Sequence, residues 1–550
     1  MRFHSLFIFL LLLTVASCNK GGKKYVLNGR LNQYVSQEIA DILEQPQAKA
    51  NSPLSEMDSS WVAVLQSFYG QRDYEPAWIR KRRLTKQGDE LMELLHNSRS
   101  YGIDTGWYSI ATLETYFKKN DRIMADTLLA QADVLLSYSY LLMANHLHKG
   151  IIDKEGKPIN SNQLGEIDMA KHLHTAIDKG RVRESLLQLQ PKNIGYRHLQ
   201  KALEEFLKEH ALSVDTLNIP NADSFPAKAQ AKAVEQLIRR KYLSPKKTND
   251  NKAYIAALKK FQELNGIEPT GKLDSTTRES LSTSNYDLFL QAALNLQRWR
   301  WEQTFDTEYV YINIPSFTLQ VLNNEKLVRE HNVVVGKASS PTPELSSSIT
   351  YFIVNPFWSV PRSIATEELL PKIKANTGYL ASKHYRLLDN KGNEIDPKSV
   401  NWNNVNSRNF NYIIRRDPGT FNDLGQIKFM FPNRYSVYLH DTPSKNLFVN
   451  DVRGYSHGCV RLQNPVDFGF FLQERDGCET DCEDLQALID EMQQKTIVLK
   501  KPLTIYIRYY TAAGDEDGHI HFYPDIYGKD KALEHLLAKQ PKATGLYTGR

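Results

Sequence analysis

Near residue 308 the spacing of apolar residues changes from threes and fours to twos, and that switch divides what the chain can fold into. Upstream, Trp61-Val62-Ala63-Val64-Leu65 with Phe68-Tyr69, Leu91 to Leu95, Leu128 to Leu147 and Leu199 to Leu207 carry helical spacing. Pro76, Gly102, Gly150 and Pro191 punctuate them. Downstream, Val310, Ile312 and Ile314 alternate with Tyr311 and Asn313. Leu319 and Val321 run up to Asn323-Asn324, a hairpin turn, and Leu327-Val328 and Val333 to Val335 follow. Ile349 to Val354, Tyr435 to Leu439, Thr496 to Leu499 and Thr504 to Tyr509 read as further strands. At 550 residues the chain exceeds one hydrophobic core. The expected fold class is multidomain α+β: a helical scaffold over 54–225, a small three-helix unit over 226–285, a β-rich domain over 286–512, and an extension over 513–550 that packs on the scaffold. Residues 362–412 are polar, rich in Asn and Lys, and weakly periodic. An insertion that long inside a compact domain points to a functional loop.

The first eighteen residues stand apart from the fold. Arg2 precedes the apolar run Leu6 to Val15, which is too short to span a bilayer. It ends in Val15-Ala16-Ser17-Cys18, which resembles a bacterial lipoprotein processing box. That resemblance implies cleavage before Cys18, lipidation of its sulfur, and a membrane anchor on the periplasmic side of the cell envelope; the alternative is a plain secretory signal. Residues 19–53 read as a tether. A net charge of +6 suits an anionic polymer, and with no basic run nucleic acid is not an expected partner.

The chain has four cysteines: Cys18, Cys459, Cys478 and Cys482. Cys478 and Cys482, four residues apart, form a local disulfide or stay as thiols. Two cysteines with no nearby histidine make a poor metal set, and no metal or organic cofactor is expected. Cys459 is left over in either case. An unpaired thiol in an exported chain is a liability unless its reactivity is used.

Cys459 sits in Ser456-His457-Gly458-Cys459, followed by Arg461 and by Asn464-Pro465, which reads as a helix cap and first turn. In the strand ending at His440, Tyr435, Val437 and Leu439 are expected on one face, and Ser436, Tyr438 and His440 on the other. A thiol titrates near ~8.5, so a nucleophilic cysteine needs a base. His457 is close in sequence, whereas His440 approaches from a separate strand. No acidic side chain is dedicated to orienting His440, and the Asp441 carbonyl is available for it. The backbone N–H groups around Gly458 and Cys459 suit an oxyanion hole, with His457 as a further donor. Arg461 either binds a substrate carboxylate or fixes the loop through carbonyls.

The stretch HDTPSKNLFVNDVRGYSHGCVRLQN, 440–464, resembles the signature of L,D-transpeptidases, cysteine enzymes that cross-link peptidoglycan. NPFWSVP at 355–361, RRDPGTFNDLGQIKFMFPN at 415–433 and DGHIHFYPDIYG at 517–528 resemble the large subgroup with a helical scaffold, a peptidoglycan-binding module and a capping loop. AALKKFQELNGIEPTGKLDSTTRESL at 256–281, with Gly266 as a helix stop and Asp274 as a cap, resembles that module. Thr270 stands where the module's family commonly has an acidic residue, so 226–285 either binds glycan or serves as a spacer.

The resemblance implies Cys459 as nucleophile, His440 as base and the Asp441 carbonyl as its orienter. His457 and the Gly458 and Cys459 amides would stabilise the tetrahedral intermediate. Ser456, Arg461, Tyr438 and Trp358 would line the substrate pocket, and 362–412 would be the capping loop. It further implies attack on a stem peptide beside an L-centre, release of D-alanine, and resolution of the thioester by an amine to give a 3→3 cross-link. Stem peptides and glycan are the expected partners, and carbapenems the expected inhibitors. Hydrolysis (a carboxypeptidase), exchange with a free D-amino acid and anchoring to a protein amine share the same acyl-enzyme. A non-catalytic wall-binding lipoprotein is the reading of another class.

Overall fold

The computed structural model describes residues 33–44, 58–118, 125–213, 218–240, 242–265, 267–302, 304–477 and 484–540. Cys18, Cys478, Cys482 and Gly266 lie outside them, as do residues 1–32 and 45–57. The described residues form two compact units, those up to 94, 108–143 and 160–185 in one, and those of 95–107, 144–159 and 186 onward in the other. The helical stretch 54–225 contributes residues to both units. The helix Ile194–Glu209 belongs to the second unit because Tyr196, Leu199, Ala202 and Leu203 share a core there with Phe289, Leu296, Trp299, Tyr510 and Ile520.

In the first unit, the fully buried Asp133 accepts hydrogen bonds from the Tyr69 hydroxyl at 2.7 Å and from the backbone N–H groups of Ala77, Trp78 and Ile79 at 2.9, 2.9 and 3.1 Å. It lies on the helix Asp126–His148, the one helix among the described residues long and apolar enough to cross a membrane, of which 72% of the apolar window is buried inside the protein.

The second unit holds a three-helix module, a sheet domain and a lid. The module's helices Pro226–Arg239, Asn251–Leu264 and Ser275–Ser282 enclose Leu237, Leu258, Phe261 and Leu281. Asp274 caps the third, accepting from the Thr277 N–H at 2.8 Å. The C-terminal hairpin Ala512–Gly514 and Ile520–Phe522 joins the core around Ile194–Glu209. The helix Lys529–Ala538 packs beside it, with Asp530 accepting from Arg298 at 2.6 Å.

The sheet domain has nine strands: β1 (Glu308–Asn313), β2 (Thr318–Asn323), β3 (Lys326–Gly336), β4 (Leu345–Val354), β5 (Ile427–Met430), β6 (Leu439–His440), β7 (Gly454–Ser456), β8 (Val460–Leu462) and β9 (Lys495–Arg508). Their order is β7-β3-β8-β6-β5-β4-β9-β1-β2, and β2 also pairs with β3, closing the sheet on itself. Val310, Ile312, Leu319, Val321, Phe352, Phe429, Leu439, Val460 and Ile505 fill the interior. Asn324 and Glu325, both with positive φ, make the two-residue turn between β2 and β3. The two expected strands 496–499 and 504–509 are one strand, β9, with an irregularity between Val498 and Leu503.

Two further expectations are corrected. The strand expected over Tyr435–Leu439 is confined to β6. The Asn433 side chain accepts from the Tyr435 and Val437 N–H groups at 3.0 and 3.1 Å, and Ser436 takes φ 56°, so the chain turns there and Tyr435 stays exposed. Asn464 precedes the helix Pro465–Arg475 as expected, but at φ 50° and without a side-chain cap bond.

The 362–412 insertion is a folded lid with its own core of Leu369, Leu370, Ile373, Leu380, Trp402 and Phe410. Strands Trp358–Ser359, Arg386–Leu388 and Ile413–Arg416 form a small sheet at its base. Its leading helix opens into a wide turn over Ala365–Leu369, where the Leu370 N–H reaches the Ala365 carbonyl. Pro371 lacks the N–H that would bond the Glu367 carbonyl, which accounts for the widening.

Candidate active site

The site begins as a row across three strands. β5 pairs Lys428 with His440, and β8 pairs Arg461 with the same histidine. Ile427, Phe429, Leu439, Val460 and Leu462 point into the barrel and are fully buried. Alternation therefore turns Lys428, His440 and Arg461 outward. One step back, the Val460 N–H donates to the Tyr438 carbonyl at 3.1 Å, which sets Tyr438 beside Cys459 on that outer face.

His440 is only 5% exposed, and its Nδ1 lies 2.5 Å from the Asp441 carbonyl oxygen. A carbonyl only accepts, so Nδ1 carries the hydrogen and Nε2 keeps its lone pair. Burial first, then the positive charges of Arg461 and Lys428, push the imidazole down to about 3. Asp441 is itself fixed. Its N–H donates to the Ile427 carbonyl at 2.9 Å, and its carboxylate accepts from the Gln426 N–H at 3.0 Å and pairs with Lys445. Gly425, at φ +59°, leaves room for that carboxylate, since a Cβ there would stand 2.2 Å from Asp441 Oδ2.

Cys459 is the one cysteine among the described residues and is partly buried. Burial pushes its thiol up from the ordinary value, while the Tyr438 N–H and hydroxyl, both bonded to the sulfur, and Arg461 and Lys428 pull the other way. Burial thus favours the uncharged form of both the thiol and the imidazole.

The loop before Cys459 is strapped by Ser456, whose Oγ donates to the Cys459 carbonyl at 2.5 Å and accepts from the Gly458 N–H at 3.2 Å. Gly458 takes φ +113°, a region that favours glycine. Its N–H, expected in an oxyanion hole, is thus already bonded, which leaves the Cys459 amide of the expected pair. His457 is likewise engaged: its Nε2 stands 2.5 Å from Glu368 Oε1 of the lid. Only Nδ1 remains for a substrate, and on a neutral ring that atom accepts rather than donates.

A cavity of about 500 Å³ opens over the sulfur, with His440, Tyr438, Cys459 and Arg461 below, Glu367 and Glu368 of the lid above, and Trp358 in its wall. Arg461 Nε is buried with no hydrogen-bond partner among the described residues, and burial lowers its pKa. Of the two roles open to Arg461, this favours binding a ligand. Sequence reasoning missed Lys428, Glu368 and Asp423, the last of which lines the same cavity. Lys428 alternates with buried Ile427 and Phe429, but its strand pairing with His440 has no mark in the sequence.

Comparison with known proteins follows this geometry. Residues 307–499 match the family described as "L,D-transpeptidase catalytic domain" (YkuD), 63–203 match "Scaffold domain", and 231–281 match "Putative peptidoglycan binding domain". A "Putative L,D-transpeptidase" of Haemophilus influenzae is 32% identical over 301 residues, covering 53% of this chain and 60% of that protein. This chain thus spans about three-fifths of the length of that relative. A crystal structure of an L,D-transpeptidase from Stackebrandtia nassauensis is 15% identical, covering 51% of this chain and 90% of that one at a TM-score of 0.19, a likeness too slight to bear on the fold. Residues 307–499 are thus an L,D-transpeptidase catalytic domain of the YkuD family, carried on one chain with a scaffold domain and a peptidoglycan-binding domain.

Proposed function

We propose that the protein cross-links peptidoglycan stem peptides through a thioester on Cys459. The observation that carries this reading is the tautomer of His440: with Nδ1–H held by the Asp441 carbonyl, Nε2 is left to take the proton of Cys459. Since burial favours the uncharged form of both groups, the proton leaves as the sulfur attacks.

The sulfur adds to the carbonyl of the third stem residue, an L-centre. The C–N bond to terminal D-alanine then breaks, and its nitrogen takes the proton from His440. The Cys459 amide faces the developing oxyanion, and Tyr438 steadies the sulfur. Arg461 receives a carboxylate of the donor stem, with Trp358 in the wall. An amine on the D-centre of a second stem then forms the new amide and releases the sulfur, giving a 3→3 link. The lid shields the thioester from water. The module's Glu268 N–H donates to Asp451 at 3.0 Å, so a wall-binding element sits against the loop that leads to Cys459. Carbapenems acylate the same sulfur in this reading. Cys18 would carry a lipid that holds the enzyme at a membrane, on the periplasmic side of the envelope.

The test is incubation with a tetrapeptide donor, followed by mass spectrometry. Cross-linked dimer is expected from the unaltered protein and none from Cys459→Ala. Tripeptide alone would make the enzyme a carboxypeptidase, and dimer from the alanine variant would remove Cys459 as nucleophile.

A further inference from the structure

The Glu368–His457 contact has no part in forming the thioester. His440 already supplies a base for the thiol, held by its own carbonyl. Yet a second imidazole stands two residues from the nucleophile and is oriented by a carboxylate brought from another element. Both partners are partly open to the cavity, at 38% and 42% side-chain exposure, so the contact is not a core bond that merely holds the lid. The lid has its own core for that purpose. The wide turn forced by Pro371 sets Glu368 and Glu367 at the cavity roof, across from Arg461. Lys372, Tyr379, Tyr385, Asp423 and Tyr435 are the other ionisable groups around that space.

The second half of the proposed reaction needs what this arrangement offers. An acceptor amine arrives as a cation and must shed protons to attack a carbonyl. His440 is committed to the first half-reaction, in which its Nε2 takes the thiol proton and delivers it to the leaving amine. His457 differs: a carboxylate accepts from its Nε2–H, which leaves Nδ1 as a proton acceptor and steadies the imidazolium that forms.

We propose that His457, oriented by Glu368 of the lid, is the base that deprotonates an amine acceptor, and that the acidic roof is the acceptor subsite. This rests on the thioester reading above. In the step, the acceptor ammonium first gives one proton to His457 Nδ1, which passes it to solvent; the freed amine nitrogen then bonds the thioester carbonyl carbon and gives its second proton to His457 Nδ1. The C–S bond breaks, the sulfur leaves as thiolate, and that proton returns to it through His457 or solvent. Glu368 is a positioning residue; it touches His457 and not the reacting atoms. The dyad is complete only when the lid supplies Glu368.

The experiment separates the two half-reactions in Glu368→Gln, with Glu368→Asp as the conservative variant. Acyl-enzyme formation from the tetrapeptide is followed by intact mass, and it also reports that the variant is folded. Transfer is followed with two acceptors, a basic alkyl amine of the diaminopimelate type and hydroxylamine, which is unprotonated at neutral pH and needs little help from a base. Glu368→Gln is expected to lower transfer to the basic amine about 10–100-fold relative to acylation, less than the ~10²–10⁴-fold weight of the base itself because Glu368 only positions it. Transfer to hydroxylamine should change by less than about threefold, and Glu368→Asp should recover part of the loss. Equal losses with both acceptors, or a fall in acylation matching that in transfer, would make Glu368 a lid fastener and overturn the proposal, as would unchanged transfer. Should the unaltered protein form no acyl-enzyme at all, the thioester reading fails, and the acceptor assignment fails with it.

Discussion

The barrel wall and the lid face each other across one cavity, and they hold their histidines in opposite ways. His440 is almost fully buried, its tautomer set by the next residue's carbonyl, and its neighbours fixed by strand register. His457 is exposed and takes its orientation from Glu368, more than eighty residues earlier in the chain, on a body with a separate core. A group needed at every turnover is built into the sheet. A group needed only when a second substrate arrives can be completed by an element free to open. Register fixes the first at no cost in mobility, and the second is conditional on closure.

The largest effect expected from this contrast is at the barrel. His440→Asn should slow acylation by about 10²–10⁴-fold, the usual weight of a positioned base. His457→Asn should cost acylation far less and show its loss mainly in transfer. Single-turnover mass spectrometry with a tetrapeptide donor measures both. The reverse ranking would exchange the two roles and break the comparison.

An effect of intermediate size concerns the two cores. Ile373 is fully buried in the lid and Leu439 in the barrel. Removing a buried aliphatic side chain costs about 2–5 kcal/mol in either place. In Ile373→Ala the loss should stay local: amide exchange quickens over 362–412 while β4, β5 and β9 keep their protection. In Leu439→Ala barrel and lid should loosen together, because the lid's base sheet springs from the chain leaving β4 and entering β5. Equal loosening of the barrel in Ile373→Ala would show that the lid is not a separate body.

The same division governs what the sequence could tell. The barrel was legible because one face of each strand is buried, so Val310, Ile312, Leu319 and Val321 alternate visibly. The Cys459 motif was legible because its groups are contiguous. The lid was legible as an insertion but its core was not, because Leu369, Leu370, Ile373, Leu380, Trp402 and Phe410 are spread over short helices joined by Asn- and Lys-rich turns, and no window holds enough of them to show a period. Glu368 and Lys428 were missed for a related reason. Each meets its histidine only through tertiary placement, one by lid closure and one by strand register. Ser436 shows the limit of alternation itself: a local Asx-type bond from Asn433 outcompeted the strand.

Lys428 offers the smallest and most discriminating change. It pairs with His440 across β5 and β6, and its ammonium lies 5.6 Å from the centre of the Tyr438 ring. Its charge disfavours the imidazolium of His440 and favours the thiolate of Cys459, in each case behind larger influences. In Lys428→Met the His440 pKa should rise from about 3, so the loss of base on acidification sets in at a higher pH. The thiol should rise as well, so direct alkylation of Cys459 by iodoacetamide needs a more alkaline solution. Both limbs thus move upward. The shift should be smaller than in Arg461→Met, since Arg461 is the stronger of the two influences on His440. Stability carries the same sign. His440 stays uncharged in the fold below 6.5, its ordinary value, where the unfolded chain takes a proton, so its contribution is full above 6.5 and is lost as pH falls toward about 3. Raising the folded value narrows that window, and the variant should lose less stability on acidification. A pH profile of acylation that moves only at its alkaline end would mean that Lys428 acts on the sulfur alone, and that His440 owes its neutrality to burial and Arg461.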